Sequence, residues 1–533
     1  MVQAETCNIS KEKFVFDLPK VNNESVTNAI KSLNTNASCG LDGISCKIIK
    51  LCGNELVPSL VFLINKSFSS GCFPRDWKEA KVFPLHKKGN IEEMNNFRPI
   101  SVLSIISKII EKIVNTEMDS FFVNSGLLCK NQFGFRKNHS TETALVYMVN
   151  DWYASMNNGK MVGVIFVDLK KAFDLVDLDL LLCKLENCGF SESAVAWFKD
   201  YLCNRSQRVN VNGVLSKSRI ISKGVPQGSI LGPKLFSLFI NDMPNVLQYS
   251  KIVMYADDTS IYTEGDNLSD IRNKLQIDIN NIIHWLEINR MVMNYEKTKC
   301  MVIGTHGRLS RVMQSNESSL NIICNNHTIE EVRSFECLGV IIDNELLWKD
   351  HVSKVSKKVS QKIGILRRLK AYVNENTLLT LYNSMVLPIL DYCCIVWGNR
   401  FKEDTERLNK LQKRAARIIL NADFLTPSDT LFASLELKRF EKRVEYFRYL
   451  LMFKCMNGLA PMCLSEMFTF RKEMHSYGTR SSSQNKLHYP KCHMESFRHS
   501  FHYIAVSLWN NLDPTCQNIT SLSVFRNYLQ NNV

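Results

Sequence analysis

Met161-Val162-Gly163-Val164-Ile165-Phe166-Val167-Asp168 is an almost wholly apolar run that ends abruptly in an acid. Asn157-Asn158-Gly159 precedes it. A short β-branched run after such a turn signal reads as a strand buried on both faces. A second run, Lys251-Ile252-Val253-Met254-Tyr255-Ala256, also stops at acids, Asp257 and Asp258, and 259–263 is expected to return as its hairpin partner. A carboxylate at the rim of an apolar core costs free energy unless something pairs with it. If the two strands are neighbours, Asp168, Asp257 and Asp258 converge, and a divalent cation is a natural partner. Magnesium takes one or two protein carboxylates plus substrate phosphates. Two ions about 3.5–4 Å apart can clamp the attacking and leaving oxygens of an in-line displacement, which is phosphoryl-transfer chemistry. An Asp after one strand is commonly only a turn residue or helix cap; two such strand ends together carry the argument.

Outward from this pair, Lys81 to Leu85 reads as a short strand and 42–70 as helical. Over 101–123, Val102, Ile106, Ile109 and Ile113 recur at helical spacing. Further helices are expected at 141–156, 178–188, 191–203 and 229–243, with a hairpin near 207–223. Residues 1–30 are polar and lack periodicity. Beyond 343, Val352, Val355, Val359, Ile363 and Leu366 share one helical face, with Lys354, Lys358 and Lys362 on another. Residues 401–420 repeat the pattern: Leu408, Leu411, Ala415 and Ile418 against Arg407, Lys410, Arg414 and Arg417.

The ordered blocks Phe166-Val167-Asp168-Leu169-Lys170-Lys171-Ala172-Phe173-Asp174, Gly224-Val225-Pro226-Gln227-Gly228-Ser229 and Tyr255-Ala256-Asp257-Asp258 resemble the palm of a reverse transcriptase. More narrowly, they resemble the jockey/CR1 class of non-LTR (LINE-type) retrotransposons. His86-Lys87-Lys88-Gly89, Asn96-Phe97-Arg98-Pro99-Ile100-Ser101 and Asn131-Gln132-Phe133-Gly134-Phe135-Arg136 fit upstream. Asn294-Tyr295-Glu296-Lys297-Thr298 and Cys337-Leu338-Gly339-Val340 fit downstream, as does Trp509-Asn510-Asn511-Leu512 near the end. The resemblance covers roughly 30–533. It implies an α+β right-hand polymerase with fingers, a palm with an antiparallel sheet, a helical thumb and a mostly helical C-terminal region. The expected domains are an N-terminal extension at 1–67, fingers and palm at 68–342, thumb at 343–420, and a C-terminal region of unknown function at 421–533.

The same resemblance assigns roles. Asp168, Asp257 and Asp258, with the Leu169 carbonyl, would hold two magnesium ions, manganese being an alternative. Phe173 would exclude the ribose 2′-hydroxyl, so that the product is DNA. Pro226, Gln227 and Gly228 would support the templating base pair, Gln227 also bordering the nucleotide. Lys87 or Lys88, with Arg98, would grip the incoming triphosphate, and Lys297 would stand near the leaving pyrophosphate. Lys354, Lys358, Lys362, Arg407, Lys410, Arg414 and Arg417 would hold the template–primer duplex. Lys234 stands where an apolar residue is usual and is expected at the surface. The implied partners are an RNA template, a DNA primer or target, and dNTPs. The implied setting is intracellular, in a cytoplasmic ribonucleoprotein and the nucleus. An inactive remnant that only binds nucleic acid is the alternative.

Composition sets the outer bounds. At roughly 150 residues per domain, 533 residues make two to four units. With 45% hydrophobic and 22% charged residues the chain is ordinary globular material, not a rod or a disordered tail. No apolar stretch approaches the ~20 residues of a membrane span. The 18 cysteines are scattered without metal-ligand spacing and read as reduced thiols. Of the net charge of +14, residues 343–533 carry +11, from 28 Lys and Arg against 17 Asp and Glu. A basic region of this kind points to a polyanionic partner. Nothing in 1–30 could be the endonuclease that such elements usually encode upstream, so nicking activity is expected to come from elsewhere and the chain to be a truncation or a fragment.

Overall fold

A run as apolar as 161–167 is stable only where both its faces are covered. The computed structural model, which describes residues 14–87, 89–314, 319–474 and 485–532, buries every residue of it. In chain order the first nine strands are β1 (Glu79–His86), β2 (Phe97–Val102), β3 (Met161–Val167), β4 (Arg205–Val211), β5 (Val214–Leu215), β6 (Arg219–Ile221), β7 (Lys251–Tyr255), β8 (Asp258–Gly265) and β9 (Lys299–Ile303). The architecture mixes helices with sheets of both parallel and antiparallel pairing. Two compact units emerge, each assembled from separated segments. One holds Met1–Phe135, Asp168–Leu247 and Ile279–Asn294; the other holds Arg136–Val167, Gln248–Asp278 and Tyr295–Val533.

In the first unit the sheet runs β2-β1-β4-β5, with β6 also on β4. β1 pairs antiparallel with β2 and parallel with β4. Side chains alternate across a strand, so Ala80 and Val82 are buried while Phe83 and Leu85 are exposed. Pro84 stands opposite Pro99. The Lys87 N–H donates to the Asn96 carbonyl at 2.9 Å, which puts the hydrogen-bonded pairs on odd positions of β1. The two prolines therefore share a pair that needs no N–H. β2 takes the first residues of the helix expected at 101–123. That helix runs Ile105–Ser125, started by the Ser104 hydroxyl, which accepts the Ile106 N–H at 3.2 Å. It ends at Gly126, whose φ of 63° suits a residue without Cβ. Phe121 on this helix clusters with Phe16, Phe190 and Phe198, neighbouring ring centroids lying 4.4–6.4 Å apart. The polar N-terminal stretch thus supplies a core side chain. It also supplies the helix Asn23–Ser32, capped by Asn22.

In the second unit β3 is central. The order is a short strand Glu330–Glu331, then β9-β3-β8-β7, antiparallel except at the Glu330–Glu331 edge. A Cβ on Gly163 would stand 2.3 Å from Ile271 Cγ2. The bare backbone of β3 is what lets the helix Leu268–Ile288 lie across it. A hairpin of Ser334–Cys337 and Val340–Asp343 leads to the helix Lys349–Leu369, along which Lys402–Ile419 packs. Val352, Val355, Val359, Ile363 and Leu366 are buried there, as their spacing predicts. Farther on, Leu450 and Phe453 of the helix Phe440–Met456 meet Leu512, Cys516, Phe525 and Leu529. No helix among the described residues is long and apolar enough to cross a membrane.

Candidate active site

β7 and β8 pair up to Tyr255–Asp258, which leaves Ala256 and Asp257 as a two-residue turn. Tight hairpins need positive φ at the first central residue. Ala256 adopts φ 56°, a conformation that costs a residue with a Cβ roughly 1–2 kcal/mol. Such strain persists only where the surroundings enforce it. β8 continues the constraint by pairing Thr259 with Val167 of β3. Asp257, half-buried, and Asp258, exposed, thus stand at the end of the sheet where β3 finishes. Behind them Phe335 stacks on Phe166 at 4.2 Å and 13°. Burial, with the nearby Asp258 carboxylate, pushes the Cys337 thiol up to about 12, so it remains a neutral packing group. The Tyr392 hydroxyl, bonded to the Leu338 carbonyl at 2.8 Å, holds the turn of that hairpin. Lys297 is exposed and lies two residues ahead of β9, whose Lys299 pairs with Phe166.

Asp168 follows Val167 directly. Its carboxylate accepts the Asn294 amide at 3.0 Å, and its carbonyl accepts the Asn294 N–H at 2.8 Å. Leu169 bridges Met293. The bonds of that bridge come from Asp168 and Lys170 with Asn294 and Val292, so it does not use the Leu169 carbonyl. Phe173 is half-buried, stacked on Phe236 at 4.4 Å and edge-on to Phe135. Gln227 donates to Asp174 at 2.8 Å, and its carbonyl accepts the Ser101 N–H at 2.9 Å. Burial raises the Asp174 carboxyl above its ordinary value, with the Gln227 bond opposing. A Cβ on Gly228 would fall 2.1 Å from the Ser101 carbonyl oxygen, at φ 125°; only glycine fits there. The Pro226 carbonyl accepts the Ser229 hydroxyl at 2.9 Å. Lys87 and Arg98 are both exposed, and the β1–β2 register sets them on one face of the hairpin. Lys88 lies outside the described residues.

Two further residues escaped the sequence reading. Asn294, quoted only as part of a block, orients the Asp168 carboxylate. Glu111 is fully buried in the helix Ile105–Ser125, where it accepts the Ile230 N–H at 2.6 Å and the Ser107 hydroxyl at 2.8 Å. It thereby ties the segment just after Gly228 to that helix. Burial pushes its carboxyl up, and the Arg205 charge pulls it back. A lone acid among the closely spaced isoleucines of 105–113 was the available signal.

On the helices Lys349–Leu369 and Lys402–Ile419, Lys358, Arg407, Lys410 and Arg414 are exposed and Lys362 is half-buried. Two expected stripe cations are engaged within the fold. Lys354 pairs with Glu336, and Arg417 donates to the Phe424 and Thr426 carbonyls. Lys234 is not at the surface: it is 7% exposed, paired with Asp119 and bonded to the Asn115 carbonyl. These partners, both on the helix Ile105–Ser125, make a lysine tolerable at an apolar position. Among the described residues no group of three or more His, Cys, Asp and Glu side chains forms a ready-made metal cage.

Comparison with known proteins shows what the chain is similar to. Residues 85–342 match the reverse transcriptase (RNA-dependent DNA polymerase) family. The chain is 28% identical over 437 residues to a probable RNA-directed DNA polymerase from transposon BS of Drosophila melanogaster, covering 79% of this chain and 47% of that protein. It is 28% identical over 416 residues to the RNA-directed DNA polymerase from mobile element jockey of the same fly, covering 76% and 44%. The X-element polymerase gives 25% over 420 residues, covering 77% and 45%. The chain spans about half the length of these relatives. Residues 85–342, which carry the acids at the strand ends, thus match the reverse transcriptase family, and the relatives that the chain resembles are RNA-directed DNA polymerases of transposons and mobile elements.

Proposed function

We propose that the chain is an RNA-directed DNA polymerase of a non-LTR retrotransposon, extending a primer 3′-hydroxyl with dNTPs on an RNA template. The observation that carries this is the β7–β8 hairpin, turned at Ala256–Asp257 beside the end of β3, within the span matched by the family. The family uses divalent metal ions, and the donor set suits magnesium: Asp168, Asp257 and Asp258 offer hard carboxylate oxygens, completed by substrate phosphates. Bound there, two ions would lower the barrier by neutralising charge on the attacking and leaving oxygens. The chain's own residues position the rest. Asn294 fixes the Asp168 carboxylate. Phe173, braced by Phe236, walls the sugar. Gln227 and Gly228 present backbone to the template pair, while Lys87 and Arg98 offer charge-assisted bonds to the triphosphate.

Primer extension on an RNA template with magnesium tests the reading. Asp257→Ala should cut DNA synthesis at least about a thousandfold, some 4 kcal/mol of barrier, with an unchanged circular dichroism spectrum. Undiminished synthesis would refute the metal assignment. Nucleic-acid binding without any synthesis by the unaltered chain would favour the remnant. Ribonucleotide incorporation equal to that of dNTPs would remove the role given to Phe173.

A further inference from the structure

In the second unit, the helices Lys349–Leu369 and Lys402–Ile419 start together. Trp348 and Val352 line one small cavity with Asp404, Thr405 and Leu408, and the Lys349 ammonium sits 5.9 Å over the Phe401 ring. They stay together farther on. Gln412, buried midway along the second helix, donates to the Tyr382 hydroxyl at 3.1 Å, on the helix Glu375–Met385 that runs back from the end of the first. The loops 370–374 and 420–427 therefore lie at one end of this bundle.

That end is unusual in what it exposes. Tyr372 is 84% exposed, Phe424 79% and Leu425 85%. The second loop is built. Asp423 accepts the Leu425 N–H at 2.9 Å, and Arg417 donates to the Phe424 and Thr426 carbonyls. The Arg417 guanidinium also lies 4.8 Å from the centre of the Phe424 ring, covering one face and leaving the other to solvent. The approach is strongly basic: residues 351–374 hold seven Lys and Arg and residues 407–422 hold five, with no Asp or Glu in either span, Glu375 and Asp423 being the acids that follow them.

We infer that this tip binds single-stranded nucleic acid, unpaired bases stacking on Tyr372 and Phe424 while the flanking cations take the phosphates. Aromatic faces set in a positive track are how proteins hold single strands without regard to sequence. A duplex hides its base faces and needs only the cations. The strongly basic approach favours a polyanion over a protein partner. The inference rests on the nucleic-acid-binding part of the proposed function and adds a site for unpaired template beyond the duplex.

The test uses the full chain and its Tyr372→Ala/Phe424→Ala variant, with fluorescence anisotropy of a labelled single-stranded oligoadenylate and a blunt RNA–DNA duplex. Both side chains are exposed, so the variant should fold. Single-strand affinity should fall about tenfold to hundredfold, equally for RNA and DNA strands, with duplex affinity unchanged. Tyr372→Phe with Phe424→Tyr should restore binding. Unchanged single-strand affinity, an equal loss for the duplex, or loss instead of binding to phosphatidylserine vesicles overturns the inference. Primer extension in the same preparations separates the two readings. Extension with no effect of the variant on single-strand binding sinks only the tip. A selective binding loss in a chain that extends nothing sinks only the polymerase.

Discussion

The sheet around β3 and the sheet around β1 differ in what covers them. All seven residues of β3 are buried, with strands on both sides and the helix Leu268–Ile288 pressed onto Gly163. β1 buries Ala80 and Val82 and turns Phe83 and Leu85 outward, Leu85 at 60% exposure. The covered sheet ends in acids that its apolar interior cannot keep. The half-covered sheet carries its cations on an open face, where flexible side chains can reach a ligand. Rigidity accompanies the carboxylates and access accompanies Lys87 and Arg98, as expected if the first group must hold geometry and the second must capture a triphosphate.

The sharpest way to break this contrast is at Glu111. The first unit relies on a buried polar anchor: Glu111 and Arg205 are both buried, and the Glu111 carboxylate holds the Ile230 N–H. Glu111→Ala leaves a buried guanidinium without its counter-charge and an N–H without an acceptor. Denaturant unfolding should show a loss of about 3 kcal/mol. Glu111→Gln, which keeps an acceptor, should lose less. A loss below about 1 kcal/mol for the alanine variant would mean that packing, not this anchor, holds the loop after Gly228.

Acid probes the second unit. His351 is buried and accepts the Ile341 N–H at 3.1 Å on Nδ1. Burial, reinforced by Lys354 and Lys358 against Glu336, lowers its pKa to about 4. The folded state therefore resists protonation. The stability this provides is complete above the unfolded value of ~6.5 and is lost as pH falls toward about 4, amounting to ~2 kcal/mol between about pH 7 and pH 5. Unfolding curves at the two pH values should show it. His351→Gln should shrink the difference, leaving the share of His499 and His502, also lowered to about 4 by burial. An unaltered difference would remove His351 from the account.

How much could be read in advance follows from the same contrast. β3, β7 and β8 were legible because a strand covered on both faces has a composition that nothing else of that length needs. β2 was not, because Pro99 and an exposed Arg98 give it no apolar signature, and its pairing with β1 is a long-range fact. The basic stripes were legible by spacing. Which cations are free was not: Lys354 and Arg417 find Glu336 and the 424–426 carbonyls only once the chain is folded. The surface expected for Lys234 failed for the same reason, since its partner Asp119 sits on a different helix. Asn294 could be quoted as part of a block, but its bond to Asp168 spans 126 residues.

The smallest expected effect on folding tests the exposed remainder of the stripe. Arg407, Lys410 and Arg414 stand in solvent on the helix Lys402–Ile419, so replacing all three with Gln should change stability by no more than about 0.5 kcal/mol each. Their contribution to binding is electrostatic. Each cation withdrawn from a phosphate should make the plot of log affinity against log salt shallower by about 0.7–0.9. The triple variant should therefore lose about two to three in slope and bind most weakly, relative to the parent chain, at low salt. Arg417 is left in place because its loss would disturb the loop that carries Phe424. The duplex is the probe to use, since it reports on phosphates without the unpaired bases assigned to Tyr372 and Phe424. A parent-like slope would mean that these cations merely solvate a helix face. The +11 of residues 343–533 would then need another partner.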